Sequence, residues 1–238
     1  MTALYEEFVE EIPYDSYPFP KLKAPSTMMV SGVSGSGKST LVHKLLVNSD
    51  EVFEKKVSKV LYCMGVDQPL YTEMQRTVPG IKFRRGIPTE EDLIEFTDGN
   101  KHCILVLDDL MEQVVGSIDA QNLFTKYSHH LCISCILVTQ NPFSQGKCSR
   151  NISMNVHYFF ILCNPRDVGA INILARQTGL GETLKKSYED CVMRKKYGYI
   201  VVCLHPADVA RFSSSETPRL QSKIHTNIFP NEELISYL

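Results

Sequence analysis

The chain has 238 residues, 43% hydrophobic and 22% charged, enough for one sizeable α/β core. Its 25 basic and 27 acidic side chains leave a formal charge of −2, which excludes a global basic field for nucleic acid. Any such contact must come from a local patch or from several copies converging on a strand. The longest apolar runs fall well short of the roughly 20 residues a membrane-crossing helix needs.

Residues 1–25 open with Glu6, Glu7, Glu10 and Glu11, lacking the basic and apolar regions of a signal peptide, and continue through Pro13, Pro18, Pro20 and Pro25. That proline spacing blocks a regular helix or central strand and predicts an extended arm. A single domain over 26–212 follows, with strands expected at Thr27–Val33, Ser58–Met64 and Ile81–Arg84 and helices at Lys38–Asn48, Pro69–Thr77 and Thr89–Thr97. Strands at His102–Asp108, Ser134–Thr139, Val156–Leu162 and Tyr197–Leu204 then alternate with helices at Ala120–His129, Asp167–Thr178 and Glu182–Cys191. The alternation predicts a mainly parallel sheet flanked by helices on both faces. Ser144–Ser149 and Phe212–Ser215 read as loops, and the tail, 213–238, is not determined by pattern.

Gly-Val-Ser-Gly-Ser-Gly-Lys-Ser at 32–39 fills every fixed position of a phosphate-binding loop, with an apolar strand before it and a helical pattern, Thr40–Leu46, after it. Glycines let backbone N–H groups curl round a phosphate, and the following helix aims its positive end at the anion. Gly32, Gly35, Ser36, Gly37, Lys38, Ser39 and Thr40 are the expected contacts to ATP. Lys38 would reach the β- and γ-phosphates, and Ser39 would place its hydroxyl on Mg2+. The bland alternative is a Gly/Ser turn holding a chance lysine.

Such a loop needs a distant carboxylate at the end of a neighbouring apolar strand. Cys103-Ile104-Leu105-Val106-Leu107-Asp108-Asp109 supplies two. Asp108 is the expected magnesium partner, and Asp109 is placed to polarise the attacking water, or else to cap the next helix. A further strand ends in Thr139-Gln140-Asn141-Pro142. There Gln140 would contact the γ-phosphate or orient water, unless it is only a polar residue meeting solvent.

These motifs, with Lys126-Tyr127-Ser128-His129-His130, Thr139-Gln140-Asn141-Pro142-Phe143, Gln145-Gly146-Lys147 and Asn164-Pro165-Arg166-Asp167, resemble the genome-packaging ATPases of Polinton/Maverick elements and adintovirus-like viruses. Those are relatives of the poxvirus packaging ATPase within the FtsK–HerA superfamily, and the resemblance runs from about Lys23 to Leu204. It implies a RecA-like sheet with the Thr-Gln strand between the phosphate-loop strand and the Asp-Asp strand. It also implies a homo-oligomeric ring, with ATP at subunit boundaries, that translocates double-stranded DNA into a capsid alongside a capsid or portal component. The expected location is inside the infected host cell or on the assembling virion, with no membrane partner. An arginine lent by a neighbouring subunit would stabilise transition-state charge, and Arg150 and Arg166 are the two candidates. Each also has an ordinary reading, Arg150 as a solvated loop residue and Arg166 as a local ion-pair partner.

Other features carry less. His129, His130, Cys132 and Cys135 suggest zinc, but Cys132 and Cys135 stand three apart near a strand start and no second Cys-x-x-Cys exists. The eight cysteines read instead as small hydrophobes in a reducing compartment. Lys185, Lys186, Arg194, Lys195 and Lys196 form the most basic neighbourhood, a DNA-facing patch or a solvated surface. Two rivals to a motor share the same loop: a nucleotide or small-molecule kinase, for which no clear lid stands out beyond the unspecific charged-helix pattern of Arg84–Thr97, and a non-catalytic ATP-dependent assembly switch.

Overall fold

The computed structural model describes residues 9–11, 21–97, 99, 101–143, 147–162, 168–194, 197–207, 210–212, 219–221, 223–226 and 235–237, with backbone alone for 9–11, 147, 194 and everything beyond 209. After β1 (Val9–Glu11), the first half runs β2 (Thr27–Ser31), α1 (Lys38–Val47), α2 (Ser49–Val52), β3 (Lys59–Met64), α3 (Leu70–Thr77), β4 (Ile81–Arg85) and α4 (Glu90–Phe96). The middle comprises β5 (Cys103–Asp108), α5 (Met111–Gly116), α6 (Ile118–Asn122), a π-helical turn (Leu123–Tyr127), α7 (Ser128–His130), β6 (Ile133–Thr139) and α8 (Lys147–Met154). The last third has β7 (Tyr158–Leu162), α9 (Gly169–Thr178), α10 (Gly181–Arg194), β8 (Tyr199–Cys203), β9 (Ala210–Phe212), β10 (Arg219–Gln221), β11 (Lys223–Thr226) and β12 (Ile235–Tyr237).

The main sheet has the order β1-β12-β11-β8-β7-β2-β6-β5-β3-β4. From β7 to β4 the strands run parallel, whereas β8 lies antiparallel on β7 and β11 antiparallel on β8. The Thr139 strand thus lies between the phosphate-loop strand and the Asp108 strand, the order the family resemblance implied. Strands β2, β5, β6 and β7 are buried at every position, as expected of a parallel sheet covered on both faces.

Two apolar layers sandwich the sheet. Met28, Val30, Tyr62, Ile104 and Val106 face α1 and α3, where Leu41, Val42, Leu45, Tyr71 and Met74 meet them. Met29, Leu105, Leu107, Leu137 and Phe159 face the opposite way, toward Leu93 and Phe96 of α4, Val114, Ile152, Leu174 and Leu184. Leu22, fully buried and bridged to Phe53, ties the segment before β2 into the first layer. α4 begins with a reciprocal cap: Thr89 Oγ1 accepts from the Asp92 amide at 3.3 Å and Asp92 Oδ2 from the Thr89 amide at 2.8 Å. Such caps contribute about 1 kcal/mol.

The structure departs from the pattern-based reading in three places. The expected loop at Ser144–Ser149 gives way to α8 from Lys147, because Ser149, Ile152 and Ser153 line one buried face at helical spacing; residues 144–146 lie outside the described residues. The expected helix Ala120–His129 is helical throughout but widens into a π-helical turn, where the Ser128 amide reaches back to Leu123 O. Cys132 stands in a turn with φ 53, before β6. Among the described residues no helix is long and apolar enough to cross a membrane.

At the amino end of β2, His157 Nδ1 accepts the Thr27 amide at 3.1 Å, and its ring lies 4.7 Å from His205 and 5.9 Å from His129. Burial, and then the neighbouring His205 and His129, lower its pKa to about 4. The folded value lies below the unfolded one, so His157 contributes stability fully present above pH 6.5 and lost as pH falls toward 4. Between pH 7 and 5 this loss should be about 1 kcal/mol after solvent screening. His157→Asn, which keeps an acceptor without titrating, should flatten that part of the urea-midpoint profile; an unchanged slope would remove His157 as its source.

Candidate functional site

The carboxyl ends of β2, β6, β5 and β3 open on one cleft of about 910 Å³, lined by the phosphate loop, Asp108, Asp109, Gln140 and Gln68. The chain leaves β2 and turns through Gly35 and Gly37, at φ 75 and 96, before entering α1. Gly37 is the residue before α1, with left-handed backbone and no side-chain cap, and the first turn carries no acidic residue. The amides at that helix start are therefore left for an anion. The loop is closed on itself: a Cβ on Gly32 would stand 2.7 Å from Ser36 Oγ. Ser36 Oγ is buried with no hydrogen-bond partner among the described residues. Ser36 and Gly32 do not line the cleft, whereas Ser34, Gly35 and Gly37 do.

Lys38 Nζ donates to Gly32 O at 2.8 Å and Val33 O at 2.9 Å, which folds the side chain along its own loop. Burial lowers its pKa, while the Asp108 and Asp109 carboxylates oppose that shift. Ser39 Oγ donates to Asp108 Oδ2 at 3.1 Å. A hydroxyl and a carboxylate at this spacing make a hard oxygen set of the kind magnesium takes, so the residues present fit both a triphosphate and its cation. Thr40 is exposed and lines the same cleft.

Asp108 is 3% exposed at the end of a fully buried strand. Two further hydroxyls meet its Oδ2: Tyr62 at 2.6 Å, from β3, and Tyr71 at 3.3 Å, from α3. Burial first, and then the Asp108 charge, push both phenols well above their ordinary pKa, which keeps them protonated as donors. Tyr62 and Tyr71 were not foreseen from sequence. Register brings Tyr62 there, since Met64 pairs with Asp108 and Tyr62 stands two residues back on the same face, while Tyr71 arrives from α3.

Asp109 is exposed, with φ 56, and Leu110 rather than Asp109 holds the cap position of α5. The helix-capping alternative therefore loses its geometry. Left-handed backbone is uncommon outside glycine, and here Gly65 makes room for it: a Cβ on Gly65 would stand 2.4 Å from Asp109 O. Gln140 projects exposed from the end of β6. The turn behind it is held by the Asn141 amide on Thr139 Oγ1 at 3.1 Å and the Phe143 amide on Asn141 Oδ1 at 3.0 Å.

Arg150 is exposed on α8 and does not line this cleft in its own chain. Arg166 lies outside the described residues, as do Gln145, Gly146, Lys195 and Lys196. Of the basic neighbourhood, Lys185 on α10 is bonded to Glu182 at 2.7 Å. Cys135 is fully buried, its thiol directed at Leu123 O.

The clash at Gly65 yields a direct test. Gly65→Ala should destabilise the fold by about 1–3 kcal/mol, because the obstructing atom is backbone, whereas Gly116→Ala, where a Cβ would meet nothing within 4 Å, should be nearly neutral. Equal denaturant midpoints for the two variants would contradict the close approach of Gly65 to Asp109.

No protein-family model matches the sequence, and comparison with curated proteins finds no match. Among solved structures, the chain is similar to the genome packaging NTPase B204 from Sulfolobus turreted icosahedral virus 2 in complex with ATP-gammaS, at 10% identity and TM-score 0.51 over 76% of this chain and 93% of that one. The complex of the same protein with AMP gives 12% identity and TM-score 0.50, over 75% and 92%. At such identities the similarity shows the fold: this chain is an α/β domain whose mainly parallel, helix-flanked sheet matches P-loop NTPase structures.

Proposed function

We propose that the chain is an ATP-hydrolysing motor that moves double-stranded DNA into a viral capsid, working as a ring of identical subunits. The observation that carries hydrolysis is the convergence of Lys38, Ser39, Asp108, Asp109 and Gln140 on one cleft at the carboxyl ends of adjacent strands. The DNA-packaging part is supported by the sequence resemblance carried by the motifs between Lys126 and Asp167 and by the shared fold with a genome packaging NTPase.

In this reading the loop amides and Lys38 hold the β- and γ-phosphates, and Ser39 with Asp108 holds the cation. Magnesium, when bound, neutralises charge that develops between the phosphates. Asp109 takes a proton from the attacking water, with Gln140 positioning that water or the γ-phosphate. Arg150, set apart from its own cleft, and Arg166 are candidates to reach a neighbour's site. Leu93 and Phe96 anchor the Arg84–Thr97 segment in the core and Arg84 is paired with Asp92 at 2.6 Å, which argues against that segment as a kinase lid.

ATP turnover should rise with linear double-stranded DNA and more than linearly with protein concentration. DNA-insensitive, concentration-independent turnover counts against the motor, phosphate on a small acceptor indicates a kinase, and binding without turnover indicates a switch. Lys38→Ala should abolish nucleotide binding. Asp109→Asn should retain binding and lose turnover about 100-fold or more; wild-type turnover in that variant would remove Asp109 from the chemistry. Arg150→Ala and Arg166→Ala, assayed alike, identify the lent arginine as the one whose loss stops turnover while binding survives.

A further inference from the structure

Asp108 Oδ2 accepts from Ser39 at 3.1 Å, Tyr62 at 2.6 Å and Tyr71 at 3.3 Å, while among the described residues no hydrogen bond reaches Oδ1. We infer that Tyr62 and Tyr71 are positioning residues that hold the Asp108 carboxylate in the orientation from which it serves a divalent cation. The inference rests on the reading of Ser39 and Asp108 as that cation's partners. The last torsion of an aspartate is broad, so an unrestrained carboxylate samples many orientations. Two donors on one oxygen, arriving from different elements, remove that freedom and leave Oδ1 uncommitted.

The donors are themselves fixed by packing. Tyr62 is fully buried and Tyr71 is 6% exposed. Their rings lie 5.1 Å apart, with Phe83 at 5.5 Å from Tyr62 and 5.4 Å from Tyr71. The choice of donor also fits a cation site. A lysine or arginine would restrain the carboxylate equally well and would repel the metal; a phenol restrains it without positive charge. Ser39 differs in kind, since donating its proton to Asp108 leaves both lone pairs for a cation. Hydrogen bonds behind a metal-binding carboxylate commonly set affinity through this kind of orientation.

The test is equilibrium binding of a fluorescent ATP analogue to the full chain, titrated with Mg2+ and repeated in EDTA, for wild type, Tyr62→Phe and Tyr71→Phe. Both variants keep the ring and remove only the hydroxyl. The Mg2+ concentration for half-maximal enhancement should rise about 10-fold in Tyr62→Phe and about threefold in Tyr71→Phe, in the order of the bond lengths. A lowered Tm with unshifted Mg2+ half-points overturns the inference and leaves the tyrosines as core residues. Should circular dichroism show Tyr62→Phe unfolded, Tyr71→Phe decides by the same criterion. Wild-type binding indifferent to Mg2+ overturns the nucleotide-site reading and this inference together, whereas Mg2+-dependent wild-type binding with unshifted variants overturns this inference alone.

Discussion

A carboxyl group withdrawn from water needs hydrogen-bond donors, and Asp108 sits 3% exposed at the end of a strand otherwise made of apolar residues and one thiol. At Oδ2 that need is met by side chains from three separate pieces of chain: Ser39 at the start of α1, Tyr62 in β3 and Tyr71 in α3. Hydrogen bonds to charged groups contribute about 1.5–3 kcal/mol each. The same contacts decide where those elements can lie. α1 must bring Ser39 over β5, which fixes the phosphate loop relative to the sheet, and α3 must close over the same carboxylate. The apolar layer beneath α1 and α3 supplies the bulk of burial; Asp108 supplies the registration.

Much of this was legible in the sequence, for reasons that differ from residue to residue. The loop at 32–39 is readable because each of its fixed positions answers a local demand of backbone or charge, and the apolar run into Asp108-Asp109 because a fully buried parallel strand tolerates few polar residues. Thr89 announces the start of α4 through a cap that needs only four residues. Tyr62 was unreadable because its partner is 46 positions away and the strand register connecting them is a property of the sheet. The start of α8, Lys147–Ser149, lies within a stretch whose polar composition reads as loop, and only the buried spacing of Ser149, Ile152 and Ser153 shows the helix. The left-handed backbone at Asp109 depends on Gly65 in the bend after β3, and no local pattern records that.

The far end of the sheet is organised on a different principle. Where Asp108 gathers hydroxyls round a charge, the start of β2 is held by neutral groups: His157 on Thr27, and Ser134 Oγ on the Ser26 amide at 3.1 Å, with His102 Nε2 2.8 Å from the same oxygen. Burial lowers the pKa of His102 as it does that of His157. The strand that carries the phosphate loop is thus fastened at both ends, by a charge-centred knot near the cleft and a proton-sensitive one at the base.

Lys38 bears on how the loop would receive a ligand. Its ammonium is held by two carbonyls of the loop itself, at 2.8 and 2.9 Å, so part of the side chain's rotational freedom has already been surrendered in folding. An arriving phosphate then meets a cation near its working place, and the entropic penalty of association is correspondingly smaller. The same arrangement favours departure, because the carbonyls stand ready to take the ammonium back as the anion leaves. In the proposed motor, such a loop would exchange one set of oxygens for another at nearly constant order, as a site that fills and empties repeatedly would need.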